Sequence, residues 1–149
     1  MSDSFKTGRS VASYGRTMTV RFDVIGLVVA DMGRSLAFYR NLGLEVPPDA
    51  DAEPHVEAAL HGGLRIAWDT IDTIKSFDPS YTPSSGGHRV GLAFHCDTPN
   101  EVDDTFKLLT DAGYHGHLKP WDAFWGQRYA SILDPDGNSV DLFSALETS

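Results

Sequence analysis

"VIGLVVADMGRSLAFYRNLGL", residues 24–44, opens on a β-rich run containing Ile-Gly-Leu, passes an aspartate and becomes a helical pattern that stops at a glycine. The same order returns in "RVGLAFHCDTPNEVDDTFKLLTDAGY", residues 89–114. Self-similarity on this scale marks a repeated structural unit. In the first copy Asp31 is placed to cap a helix, Leu36, Phe38, Tyr39 and Leu42 form its apolar stripe, and Gly43 stands at its end. In the second, Thr98 caps, Pro99 takes the first helical position and Glu101 completes a capping box. Val102, Phe106, Leu109 and Ala112 then share one face before Gly113.

Strand patterns follow each helix. "HVEAALHGGLRIAWD" reads as a hairpin turning at Gly62–Gly63, and "RYASILDPDGNSVDLF" as one turning at Asp134-Pro-Asp-Gly137. The expected fold is α+β: two tandem βαβββ modules, about 20–70 and 89–145, whose curled mixed sheets enclose a cleft with the helices outside. Residues 71–88, with two prolines and a Gly86–Gly87 pair, are expected to link them. Together they make one domain over 18–149. Residues 1–17, poor in apolar pattern and rich in Ser and Gly, read as a flexible tail.

Within 149 residues, 12 are basic and 21 acidic, a net charge of −9 with a pI near 4.9. That argues against nucleic acid and anionic membrane as partners, since both require a positive footprint, and favours a ligand carrying an amine. No apolar run approaches a membrane span. The single cysteine, Cys96, excludes an intrachain disulfide and fits a reducing cytoplasm. Neither a phosphate-cradling glycine loop nor a G-x-S-x-G elbow is present.

"KPWDAFWGQRY", residues 119–129, sets Trp121, Phe124 and Trp125 directly before a strand, where a loop can overhang a cleft. Aromatic side chains there offer large, stiff stacking surfaces. The competing reading is that one or two of them plug the end of the sheet.

The stretches "IGLVVADMGRSLAFYRNLGLEV" and "RYASILDPDGNSVDLF", with the duplication, resemble the vicinal oxygen chelate superfamily over about residues 20–145. That superfamily includes glyoxalase I, extradiol dioxygenases, fosfomycin-resistance enzymes and bleomycin-resistance proteins. The resemblance implies two sheets curled round a cleft. In metal-dependent members it also implies one ligand on each of four strands. Carried over singly, those positions fall on Val24, Ala67, Gly91 and Asp141. Only Asp141 has a donor side chain, whereas such sites generally need at least three; no metal and no other cofactor is expected.

Strand alternation describes the face left behind. Val24, Gly26, Val28, Arg65, Ala67 and Asp69 are expected to line it from module one. Gly91, Ala93, His95, Ser139, Asp141 and Phe143 do so from module two, with Arg128, Ala130 and Ile132 paired across the turn. Trp68 falls on the core side. His115 and His117 read as solvated on an edge strand. The small side chains leave either a slot for a flat ligand or a space filled by neighbours or a second subunit.

The candidate ligand-binding residues are therefore Arg65, His95, Trp121, Phe124, Trp125, Arg128, Asp141 and Phe143. The reading is a metal-independent protein of the bleomycin-resistance type that sequesters a hydrophobic, largely aromatic small molecule without chemistry. The resemblance further implies a homodimer whose clefts draw on both subunits. Two alternatives stand beside it. One is an enzyme of the same superfamily: a lyase or dioxygenase with displaced ligands, or an isomerase using His95 and Asp141. The other is a module whose tryptophans dock a partner protein.

Overall fold

The structure, a computed structural model, describes residues 19–146; the expected tail over 1–17 lies outside the described residues. Module one comprises β1 (Val24–Val29), α1 (Met32–Arg40), β2 (His55–Ala59) and β3 (Arg65–Thr70). After α2 (Ile71–Phe77), module two runs β4 (Gly91–His95), α3 (Pro99–Asp111), β5 (His115–Ala123), β6 (Gln127–Leu133) and β7 (Ser139–Ala145). Sheet one has the order β1-β3-β2, sheet two β4-β7-β6-β5. In both, the first strand pairs parallel to the last and the hairpin pairs antiparallel. The architecture is α+β, built from two tandem modules.

The N-caps form at Asp31 and Thr98 as the sequence directs, while Glu101 of the expected capping box serves the residue before the cap instead of the cap itself. The Asp31 side chain accepts from the Arg34 N–H, and that of Thr98 from the Glu101 N–H. Glu101 reaches back to the Asp97 N–H at 2.9 Å.

Module two is a complete βαβββ unit, whereas module one has three strands. The segment Leu44–Pro54, where the counterpart of β5 would lie, forms no strand. Pro47, Pro48 and Pro54 offer no N–H to a ladder. The expected linker also opens with structure. Thr70 caps α2 by accepting from the Thr73 N–H, and both β3 and β1 contact this helix.

The core lies between the modules. From α1 come Leu36, Phe38 and Tyr39; sheet one adds Val29 and Trp68, and sheet two and α3 add Ile132, Val140 and Leu109, all fully buried. Tyr39 joins the halves. Its ring packs against Trp68 of sheet one and Phe94 of sheet two, with centroids 5.8 and 6.5 Å apart. Its hydroxyl donates to buried Asp134 at 2.6 Å. Burial, reinforced by that carboxylate, pushes the Tyr39 phenol far above its ordinary value. Asp134 also accepts from the backbone N–H of Asp136 and Asn138 and from Asn138 Nδ2, so its charge is well supplied with donors. Both sheets turn one face to this core and leave the other uncovered.

Candidate functional site

Cross-strand pairing sets one row of side chains across the uncovered face of sheet two. His95 on β4 pairs with Phe143 on β7, Phe143 with Tyr129 on β6, and Tyr129 with Trp121 on β5. Residues opposite one another in a ladder project to the same side, so the row is a continuous aromatic band. His95 and Phe143 meet edge-on with centroids 5.3 Å apart. Trp125, from the β5–β6 turn, folds back on Tyr129 at 5.2 Å and on Trp121 at 5.5 Å, both edge-on. Gly126 permits that return with a φ of +93°, and the Trp125 indole N–H donates to Gln127 Oε1 at 2.8 Å. Phe124 stands at the tip, 89% exposed.

The next row holds Ala93, Asp141, Ser131 and Leu118. Asp141 is half-buried and accepts from the Ser139 hydroxyl at 3.2 Å; Ser139 and Ser131 lie 3.2 Å apart, both buried. Beside Asp141 the floor is low: a Cβ at Gly91 would still stand 3.8 Å from Asp141 Oδ2. Among the described residues no Lys, Arg or His lies within ion-pair distance of Asp141. Burial and then the Asp141 carboxylate push the Tyr129 phenol up to about 12.

The face expected for β6 is corrected by this pairing. Arg128, Ala130 and Ile132 point to the helix side, where Ala130 and Ile132 are fully buried. Arg128 donates to Asp103 of α3 at 2.9 Å and to Asp122 at 3.0 Å. The cause is the turn. Asp134 and Asn138 still pair, the Asp134 N–H donating to the Asn138 carbonyl at 2.9 Å. The loop is thus the three residues Pro135-Asp136-Gly137, with Gly137 at φ +88°. Relative to a four-residue loop, the pairing moves by one residue, and Tyr129, Ser131 and Leu133 take the open side instead. Tyr129 and Ser131 are the site residues that sequence reasoning missed; the signal was Asn138 after the turn glycine.

The uncovered face of sheet one is charged and self-paired. Arg65, which projects there as expected, donates to Glu57 and Asp23, each at 2.5 Å. His55 Nδ1 lies 2.6 Å from Asp69, and Nε2 2.8 Å from Glu57. Because carboxylates only accept, both contacts favour the imidazolium; Glu57 first and Asp69 second raise the His55 pKa.

Arg65 and Arg128 are therefore apart from the aromatic band, while His95, Trp121, Trp125, Asp141 and Phe143 come together on sheet two. His115 and His117 are exposed on the edge strand β5. Trp68 is in the core. The four positions expected to ligate a metal hold Val24, Ala67, Gly91 and Asp141. This donor set does not fit a metal of the family type, and among the described residues no group of three His, Cys, Asp or Glu side chains is placed to hold one. Nor, among the described residues, is any helix long and apolar enough to cross a membrane.

The fold is shared with solved structures of low sequence identity. A glyoxalase/bleomycin resistance protein/dioxygenase family enzyme from Burkholderia phytofirmans PsJN matches with TM-score 0.73 at 18% identity, over 85% of this chain and 100% of that one. A glyoxalase/bleomycin resistance protein/dioxygenase from Nocardioides matches with TM-score 0.70 at 21% identity, over 94% and 93%. For a glyoxalase-related enzyme from Fulvimarina pelagi the values are 0.70 and 19%, over 83% and 87%. No curated protein matches the sequence. The family model of the Glyoxalase/Bleomycin resistance protein/Dioxygenase superfamily matches residues 21–142. With the duplicated module and its hairpins in place, the chain belongs to that superfamily.

Proposed function

We propose that this protein binds a broad, largely aromatic small molecule against the uncovered face of sheet two and sequesters it, without a metal and without chemistry. The observation that carries this reading is the aromatic band His95–Phe143–Tyr129–Trp121, which borders a floor of small side chains. Stacking on such a band supplies affinity for any flat π-surface, and the low floor beside it leaves room for depth. Three of the four family ligand positions offer no donor atom, which favours binding over metal-assisted turnover.

The cleft is completed by a second copy in this proposal. Each sheet leaves one face open, and exposed apolar side chains such as Val24, Leu118 and Trp121 stand on or beside those faces. Covering one face of sheet two with sheet one of another chain would bury both. A reducing cytoplasm remains the proposed compartment.

Tryptophan fluorescence tests the reading. Chelator-treated protein titrated with a panel of planar aromatic compounds is expected to show saturable quenching, and light scattering to give the mass of a dimer. Quenching that appears only after Fe²⁺, Ni²⁺, Zn²⁺ or Mn²⁺ is restored would overturn the metal-free reading. The absence of any saturable ligand would overturn the binding reading itself.

A further inference from the structure

The aromatic face of sheet two carries one charge that nothing in the described chain neutralises. Asp141 stands in the row next to the aromatic band, flanked by Ala93 on one side and Ser131 on the other. Its partners are neutral hydroxyls, that of Ser139 at 3.2 Å and the Tyr129 phenol, whose pKa it raises in part through a hydrogen bond, and neither brings a positive charge to a group with about four acceptor positions. A half-buried carboxylate so sparsely served would ordinarily draw an arginine or lysine. The two arginines carried by the strands are already committed. Arg65 holds Asp23 and Glu57, and Arg128 holds Asp103 and Asp122. In a dimer that brought sheet one against sheet two, Arg65 would arrive with both its forks occupied.

The surroundings add a second, independent preference of the same sign. Tyr129 and Phe143 stand one pairing step from Asp141, and an aromatic ring presents a negative face to whatever lies over it. A positive nitrogen above this wall would be attracted by the rings and by the carboxylate together. A neutral ring would gain only the stacking, and an anion would meet both the carboxylate and the π-faces with the wrong sign.

We infer that the ligand of this face is an aromatic compound bearing a positively charged nitrogen, the nitrogen lying against Asp141 and the rings against Tyr129, Phe143 and Trp121. This rests on the binding reading above and names its ligand class.

A matched pair of probes separates the two claims. N-methylacridinium carries a fixed positive charge, and acridine, neutral at mildly alkaline pH, has nearly the same shape. Isothermal titration calorimetry on the full chain is expected to give N-methylacridinium an affinity at least about tenfold above that of acridine. In Asp141→Asn, which keeps the side-chain shape, that preference is expected to vanish, the two probes binding with about equal affinity. Added salt is expected to weaken N-methylacridinium and to leave acridine unchanged in the wild-type protein. Insensitivity to salt overturns the inference even if the variant folds poorly. Equal affinities for the two probes, a preference that survives Asp141→Asn, or one insensitive to salt would each overturn the inference and leave aromatic binding standing. If neither probe binds, the inference and the binding reading fall together.

Discussion

On the uncovered face of sheet one, each charged side chain finds an opposite: Asp23, Arg65, Glu57, His55 and Asp69 form one unbroken chain of contacts. On the matching face of sheet two, Asp141 has hydroxyl partners and, among the described residues, no cation, and aromatic rings stand where sheet one has charge. The three strands common to both sheets have the same order, so on them the difference lies in side-chain chemistry; β5, present in sheet two alone among the described residues, adds Trp121. A face whose charges satisfy one another has little left to offer a ligand, while a face with stacking surface and an unanswered charge has both attraction and selectivity left over.

Removal of Asp134 strikes at this contrast most heavily, because that residue holds the turn which decides what sheet two displays. Asp134→Ala would leave the Tyr39 hydroxyl and the Asn138 and Asp136 donors without their buried acceptor. A loss of about 3–5 kcal/mol is expected in denaturant unfolding. A loss below about 1 kcal/mol would show that the ladder, not the turn, keeps the register.

Trp121→Ala comes next. It should weaken planar aromatic ligands by about ten- to thirtyfold while stability stays within about 0.5 kcal/mol, since the side chain is 39% exposed. An unchanged affinity would move the binding face away from the band.

The third test concerns sheet one. Because the folded-state pKa of His55 is raised, its contribution to stability is fully present below the unfolded histidine value and is lost as pH rises through the folded value. Thermal melts should therefore show a small decline over that window which His55→Gln abolishes, with aromatic affinity untouched. A change in affinity would draw sheet one into the site.

The smallest effect is spectroscopic. The Tyr129 phenol should titrate at about 12 and move downward in Asp141→Asn, because the carboxylate is part of what raises it. A titration indifferent to the substitution would separate the two groups.

Much of this was readable in the residues, because much of it is local. Asp31 and Thr98 cap where their hydrogen-bonding chemistry places them, and alternation along β3 puts Arg65 and Ala67 opposite Trp68. What escaped depends on distance or on a single residue of loop length. Asp103 and Arg128 meet across 25 positions. Helix α2 has seven residues and none buried, so it left no apolar stripe to read. The missing strand of module one was spelled out by Pro47, Pro48 and Pro54, but only once a strand was known to be absent did the prolines have something to explain. Tyr129 was hidden because the Asp134–Asn138 pair shortens the loop to three residues, and parity inverts on that one step.

The same loop gives the molecule an uneven tolerance of length. A residue inserted between Pro47 and Glu53 would lengthen a segment that belongs to no sheet, at a cost set chiefly by loop closure. A residue inserted between Asp134 and Asn138 would disturb the carboxylate that serves Asp136, Asn138 and the Tyr39 hydroxyl together. Any one-residue shift of pairing that followed would bring Arg128 to the open side and bury Tyr129, exchanging one molecular surface for another without altering a single side chain. Natural variation in this protein's relatives should therefore be free in the first segment and nearly frozen in the second.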